Sequence, residues 1–380
     1  MIPINKPWLD AEEKSEIMDV LEDNVLTSAS REGGKRVQDF ETELRNFLKV
    51  KHVVAVNSGT SALYAALIAA DIKEGDEILV PSFTFVATAN SILAVGAKPI
   101  FVDINLSDYT LDTFDLKSKI TNKSKAIIPV HLYGHPSAID EINELANTYS
   151  LTVIEDACQS VGSTYKGKQT GTIGLMGCFS MYASKVLTCG EGGAIATNFD
   201  NLAEKLKMIR NHGMFDGYDT RVFGLNLRLP ELSAAVAKVQ TKKLQTMLES
   251  RRRNAKLMSE MLVDSGKELK IKIPQEDQDK QFNWYLYTIA FEDNITRDKA
   301  KRKMLEKGIG ATVYYDPPVH QTPYYSKMIE LSRENNEKNN NVKNLPKTEQ
   351  SSRQVLSLPV HPLVKDQDIE DMANIIEEIN

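Results

Sequence analysis

Cysteine is scarce. The 380 residues hold three, Cys158, Cys178 and Cys189. An odd count without a C-x-x-C pair fits neither a disulfide framework nor a metal site, so we expect incidental thiols. Long apolar runs are missing too: nothing approaches the roughly 18 consecutive apolar residues of a spanning helix. Met1–Glu16 is charged early and lacks the apolar core of a signal peptide. Excess positive charge is also absent, with 46 Lys+Arg against 52 Asp+Glu and a net charge of −6. That leaves no basic footprint for nucleic acid or for an anionic membrane. Hydrophobic residues nonetheless make up 42%, and a chain of this length buries a large core without staples. These features predict a cytoplasmic protein with neither nucleic-acid nor membrane partner. At roughly 100–200 residues per domain, we expect two or three domains, or one large domain with an appendage.

What is present alternates. Asp10, with Glu13 three residues on, forms a capping-box signature for a helix to about Asp23. Thr27–Lys35 reads as a loop. Val53–Val56, Glu77–Val80, Pro99–Asp103, Lys125–Val130, Val153–Asp156, Cys178–Ala183 and Gly193–Thr197 read as strands. Ser58–Ala70, Phe85–Val95 and Ala138–Tyr149 read as helices. Strands apolar on both faces, separated by helices, predict an α/β domain with a mainly parallel sheet. Ligands in such sheets sit at the carboxyl ends of strands. After Pro230 the pattern changes. Leu232–Leu262 is a long helix, with Arg251–Arg253 placed on a solvated face. Trp284–Phe291 reads as a strand, Thr296 as the cap of a helix to Lys307, Gly310–Tyr314 as a strand, and a last helix starts near Asp366. We expect a large α/β domain over 1–245 and a smaller α+β domain over 246–380. Glu330–Ser352, rich in Asn, Glu and Lys, reads as a flexible surface excursion.

Three segments at strand ends hold candidate chemistry. In Val56-Asn57-Ser58-Gly59-Thr60-Ser61 a strand runs through a small-residue turn into a helix. Unpaired amides and the helix dipole suit a phosphate there, although a well-capped helix looks the same. Glu155 and Asp156 end a strand. Either both are solvated, or one points inward and needs a cationic partner such as a ring nitrogen. Lys185 follows an apolar strand and precedes the turn Gly190-Glu191-Gly192-Gly193. It is either a snorkelling surface lysine or a desolvated nucleophile. A phosphate cradle, a strand-end acid and a lysine are together the parts that pyridoxal phosphate needs.

The chain resembles the DegT/DnrJ/EryC1/StrS family of sugar aminotransferases, which are fold-type-I pyridoxal-phosphate enzymes. The resemblance runs through FETELRNFLKVKHVVAVNSGTSAL, GDEILVPSFTFVATANSILAVGAKPIFVDI, KAIIPVHLYGHP, VIEDACQSVGSTYKGKQTGTIGLMGCFSMYASKVLTCGEGGAIATN, GLNLRLPELSAA and LSLPVHPLV. It implies that Lys185 bonds the cofactor aldehyde and that Asp156 binds the pyridine nitrogen. By the same resemblance Gln159 bonds the 3-hydroxyl, Phe85 stacks on the ring, and Ser58, Gly59, Thr60 and Ser180 hold the phosphate. Asn226 is implied to reach the cofactor phosphate of the neighbouring subunit, so that a homodimer shares its active sites. The implied reaction moves an amino group from L-glutamate to a nucleotide-linked keto sugar. PVHLYGHP resembles GDP-perosamine synthases, which act on GDP-4-keto-6-deoxymannose; UDP-linked 3-keto or 4-keto sugars are the alternative. Relatives that dehydrate sugars carry His where Lys185 stands, and a non-catalytic regulatory relative is a further alternative.

The resemblance also marks Tyr315 and His320 as substrate residues, with Tyr314 standing where relatives carry His. Arg228 would bind a carboxylate or sugar phosphate, or brace a subunit interface. His131 and His135 sit four apart, but Gly134 and Pro136 oppose a helix between them, so we expect a loop lining the site and no metal. His212 reads as a helix-end residue and Glu191 as a turn residue.

Overall fold

The computed structural model describes residues 1–264, 269–334 and 345–379. In chain order the strands β1 (His52–Val56), β2 (Glu77–Pro81), β3 (Lys98–Val102), β4 (Ser124–Ile127), β5 (Thr152–Asp156), β6 (Met176–Ser180) and β7 (Gly193–Thr197) form one sheet. Their order is β1-β7-β6-β5-β4-β2-β3. Only β7 runs against its neighbours; the pairs β6-β5, β5-β4, β4-β2 and β2-β3 are parallel. Helices flank it: α1 (Ala11–Asp23), α2 (Lys35–Leu48), α3 (Gly59–Ala69), α4 (Val86–Ala94), α5 (Thr113–Lys119), α6 (Ile139–Tyr149) and α7 (Asp200–Arg210). The alternation of a strand divides the core. Val53 and Ala55 pack with Phe40 and Leu44 of α2, whereas Val54 and Val56 pack with Ala62, Leu63 and Ala66 of α3. Both faces are covered, so the strands read as unbroken apolar runs.

α8 (Glu231–Asp264) is one continuous helix of 34 residues. Its far half supplies Ala255, Met258 and Leu262 to a separate core. That core covers a second, antiparallel sheet of β8 (Ile271–Lys272), β9 (Tyr287–Phe291) and β10 (Val355–Leu358). α9 (Asn294–Glu306), α10 (Pro323–Glu334), α11 (Pro346–Gln354) and α12 (Asp366–Ile379) complete the chain. The N-terminus joins this part: Ile2 pairs in parallel with Ile309.

Several local expectations hold and others give way. α1 carries the full capping box of Asp10 and Glu13. α2 was not anticipated as a helix. The cap of α9 is Asp293, whose Oδ1 accepts the Thr296 N–H at 2.8 Å. Thr296 therefore lies inside the first turn. Trp284 has φ +53° and cannot extend a strand, so β9 starts at Tyr287. Gly310–Tyr314 contains only one bridge, Thr312 to Ser357.

The arginine run is not uniformly solvated. Arg253 is exposed, but Arg251 is 2% exposed and donates to the carbonyls of Trp284 and Tyr285. Within the expected excursion, 335–344 lie outside the described residues. Pro346–Gln354 is helix, with Thr348, Ser351 and Ser352 buried. Asp103, past the end of β3, accepts the N–H groups of Lys347 (3.1 Å) and Thr348 (2.8 Å) and so caps α11 from across the chain.

Candidate active site

The carboxyl ends of β1, β2, β5 and β6 converge on a cavity of about 580 Å³. It is lined by Ser58, Gly59, Thr60, Thr84, Phe85, Thr88, Asp156, Cys158, Gln159, Ser180, Tyr182, Ser184, Lys185, Glu191, Tyr285, Tyr314 and Tyr315, among others. The three segments singled out in the sequence are thus brought together.

Glu155 and Asp156 point to opposite faces, and both are buried because both faces are covered. The solvated reading of this pair is therefore wrong. Asp156 faces the cavity. Its Oδ2 accepts from Thr88 Oγ1 at 2.9 Å, and its Oδ1 accepts the Cys158 N–H at 3.1 Å. Glu155 faces away. It accepts from His131 Nε2 at 2.9 Å and from the amides of Gly171 (2.8 Å), Ile173 (2.7 Å) and Gly174 (2.7 Å). Burial pushes its carboxyl up, but the His131 hydrogen bond and the amides outweigh burial and hold it below the ordinary value.

Over the cavity stands the N-terminus of α3. Ser58 Oγ accepts the Ser61 N–H, and Ser58 O accepts the Ala62 N–H, each at 3.0 Å. Gly59 and Thr60 precede them in the first turn, where helix amides have no partner within the helix. A side chain at Gly59 would place Cβ 2.7 Å from Ser180 Cβ and 3.0 Å from Cys158 Sγ. Only glycine lets the turn approach β6 this closely. Burial, then the Asp156 charge, raises the Cys158 thiol well above its usual pKa. The one thiol in the cavity wall is thus a protonated neighbour and not a nucleophile.

Lys185 enters from the turn after β6. Its Nζ lies 4.7 Å from the centroid of the Tyr285 ring. Among the described residues it has no carboxylate partner. Gln159 is held at both ends of its amide. Oε1 accepts the Tyr133 N–H at 2.9 Å, and Nε2 donates to the Tyr315 hydroxyl at 3.1 Å. Phe85, 55% exposed, stands at the mouth, with its ring 6.2 Å from that of Tyr315.

Four expected site residues lie off this cavity. His131 does not line it. The ring is fully buried, with Nε2 on Glu155 and Nδ1 accepting the Ser137 N–H at 3.0 Å. His320 is buried too. Its Nδ1 meets Ser82 Oγ at 2.7 Å, and its backbone N–H donates to the same oxygen at 3.0 Å. Arg228 Nη1 donates to Asn211 Oδ1 at 2.7 Å, away from the cavity. Asn226 is exposed on the outer surface. His212 lies just past α7 with φ +58°. Among the described residues, no three His, Cys, Asp or Glu side chains are placed to hold a metal ion.

Thr84, Thr88, Ser184 and Tyr285 were missed. Thr84 and Thr88 are one helical turn apart beside Phe85, a spacing that marks one face. Tyr285 carried no signal, since it lies 100 residues from Lys185 in the chain and its backbone there is irregular.

Residues 8–377 match the DegT/DnrJ/EryC1/StrS aminotransferase family. A GDP-perosamine synthase of Caulobacter vibrioides is 31% identical over 100% of this chain and 98% of its own. A UDP-N-acetyl-3-dehydro-alpha-D-glucosamine 3-aminotransferase of Acidithiobacillus ferrooxidans is 35% identical over 93% of this chain and 90% of its own. Among solved structures, S. venezuelae DesV in complex with a ketimine intermediate superposes with a TM-score of 0.87 at 33% identity, over 99% of this chain and 98% of that one. With residues 8–377 matched and relatives covered over nearly their whole length, the chain belongs to the DegT/DnrJ/EryC1/StrS aminotransferase family.

Proposed function

We propose that this chain is a pyridoxal-phosphate aminotransferase that moves an amino group from L-glutamate to a keto group on a nucleotide-linked sugar. The observation that carries the reading is the meeting of Lys185, Asp156 and the start of α3 on one cavity. The donor set fits the cofactor. It offers an unpaired primary amine, a buried carboxylate for a protonated ring nitrogen, and a glycine turn whose amides suit a phosphate. Bound there, pyridoxal phosphate supplies a ring that takes up the electron pair left when a C–H bond next to nitrogen breaks.

The chain's own groups do the rest. Asp156, fixed by Thr88 and the Cys158 amide, keeps the proton on the ring nitrogen. Ser58, Gly59, Thr60 and Ser180 hold the phosphate. Gln159, its oxygen already engaged by Tyr133, presents a donor toward the ring hydroxyl. Phe85 covers the ring face. Lys185 Nζ would attach the cofactor and, when free, would take up and return the proton of the reacting substrate carbon. Tyr315 lines the same cavity, its hydroxyl accepting from Gln159 Nε2.

The sugar is assigned as a class only. PVHLYGHP, which favours a GDP-linked 4-keto sugar, places His131, Leu132, Tyr133 and His135 in the buried core. It supports Gln159 and Tyr314 from behind and lines no part of the cavity. GDP-perosamine formation and amination of UDP-linked 3-keto or 4-keto sugars thus stand as members of one proposal.

Asn226 belongs, in this reading, to a neighbouring subunit's phosphate site. It is exposed and flanked by the exposed apolar side chains Phe223 and Leu225, as a dimer face requires. We divide the chain into a cofactor domain, 1–245, and a small domain, 246–380, joined by α8. No described helix is long and apolar enough to cross a membrane. Three unpaired thiols suit a reducing cytoplasm.

The test is direct. Protein incubated with pyridoxal phosphate should gain a visible absorption band that L-glutamate bleaches. With excess L-glutamate, at least one member of a panel of GDP-, UDP- and dTDP-linked keto sugars should then accept the amino group and drive 2-oxoglutarate release beyond the single equivalent per site that glutamate alone gives. A band that glutamate leaves unchanged would count for the regulatory alternative; water loss without amino transfer would count for the dehydratase.

A further inference from the structure

We infer that the face of Tyr285 is the seat of the Lys185 ammonium whenever Nζ is not bonded to the cofactor, and that Arg251 is the positioning residue that holds this seat. The inference rests on the reading that Lys185 carries the cofactor. It adds two residues on which the family resemblance was silent.

The first observation is what stands beside the Lys185 Nζ. A primary ammonium in a cavity needs a partner, and among the described residues no carboxylate lies within ion-pair distance. What it has is an aromatic face, with Nζ 4.7 Å from the Tyr285 ring centroid. A cation within about 6 Å of a ring centroid is drawn to the negative face of the ring. Tyr285 is only 6% exposed, so the ring cannot swing into solvent. Its hydroxyl reaches Ser184 Oγ at 3.3 Å, which ties the ring to the residue next to Lys185.

The second observation concerns what fixes the ring. Arg251, buried in α8, has no carboxylate partner either among the described residues. Its Nη1 donates to the Trp284 and Tyr285 carbonyls at 3.1 and 3.3 Å, and its Nη2 donates to Asn5 Oδ1 at 2.6 Å. Asn5 Nδ2 in turn donates to the Tyr285 carbonyl at 3.4 Å. From the other side, Asn283 Oδ1 accepts the Tyr285 N–H at 2.9 Å, and Asn283 Nδ2 donates to the carbonyls of Gln159 and Val161, each at 3.0 Å. Both polar backbone groups of Tyr285 are thereby engaged. A buried guanidinium with only carbonyl and amide partners costs stability unless it orders something. Here it orders the two residues that present the aromatic face.

The consequence is chemical. An amine released from the cofactor stays over the ring, inside the cavity that the acid at the end of β5 also lines, instead of drifting to water. It is then in place for its next proton transfer.

The test uses cofactor-free full-length protein and a small amine-reactive reagent, with modification of Lys185 followed by mass spectrometry. Tyr285→Leu should label at Lys185 faster than the parent, by between about twofold and about thirtyfold, the range a cation–π contact covers. Tyr285→Phe, which keeps the ring face, should label within about twofold of the parent. Tyr182→Leu removes a different tyrosine from the cavity wall and should leave the rate unchanged. Arg251→Met should move the rate toward that of Tyr285→Leu; if this variant does not fold, the Tyr285 and Tyr182 series decides alone. In the glutamate half-reaction of loaded protein, Tyr285→Leu should lower kcat and leave KM nearly unchanged. Equal labelling of Tyr285→Leu and parent overturns the seat, as does equal acceleration by Tyr182→Leu. Failure of the parent to take up pyridoxal phosphate would sink the function proposed above, and the labelling series would still report on the seat.

Discussion

Thr88 Oγ1 donates to Asp156 Oδ2 at 2.9 Å, joining the first turns of α4 to the end of β5. Both side chains are buried, with Thr88 at 1% and Asp156 at 5% exposure. A hydrogen bond to a charged group is worth about 1.5–3 kcal/mol. Thr88→Val, which keeps the shape and removes the donor, should therefore weaken cofactor affinity by about tenfold or more. Equilibrium dialysis against pyridoxal phosphate measures it, and an unchanged affinity would refute the role given to Asp156.

Lys185→Ala should abolish transamination while leaving the melting temperature within a few degrees of the parent. The side chain is half-buried and has no carboxylate to leave unpaired. Turnover above the uncatalysed background in that variant would remove Lys185 from the mechanism.

Glu155 is structural in this account, and pH shows it. Its folded-state pKa lies below the ordinary 4.5. The unfolded chain therefore binds the proton more readily, and the stabilisation is complete above about pH 4.5 and fades as pH falls through the lowered folded value. Urea melts should show Glu155→Ala losing about 3–5 kcal/mol at neutral pH, because His131 and three amides lose their acceptor. The difference from the parent should shrink in acid; a constant difference would mean that the carboxylate charge is not what matters.

Asn226→Ala and Lys185→Ala should complement one another. If sites are shared across the dimer, every heterodimer holds one site with both native residues and one with neither, and random pairing makes about half of all dimers heterodimers. Mixed subunits, verified by differential tags, should recover up to about one quarter of the parent's activity per site. No recovery would place Asn226 outside the neighbour's cofactor site.

Local chemistry was legible where near neighbours in sequence decide it. The capping box of α1, the small-residue entry to α3 and the strand–acid junction at Asp156 all depend on residues within a few positions of one another. Boundaries slipped where two local solutions compete, as with Asp293 and Thr296 at the start of α9. His131 and His320 were read as site residues because they lie near strand ends and motif positions. Their rings instead meet Glu155 and Ser82, 24 and 238 residues away in the chain. Arg251 looked solvated because an arginine triplet on a helix shows no preferred face until something covers one. The cover comes from Asn5 and from Trp284–Tyr285.

By itself the sequence determined which segments are strands buried on both faces, where their carboxyl ends lie, and which amine, acid and glycine turn stand at those ends. Periodicity and capping are set by neighbours along the chain. The tertiary structure alone decided which of two adjacent acids faces the cavity, which histidines are sealed behind it, and that an aromatic ring 100 residues from Lys185 lies under its amine. Those outcomes depend on distant segments closing on one another, and side-chain direction is settled only by what packs against it.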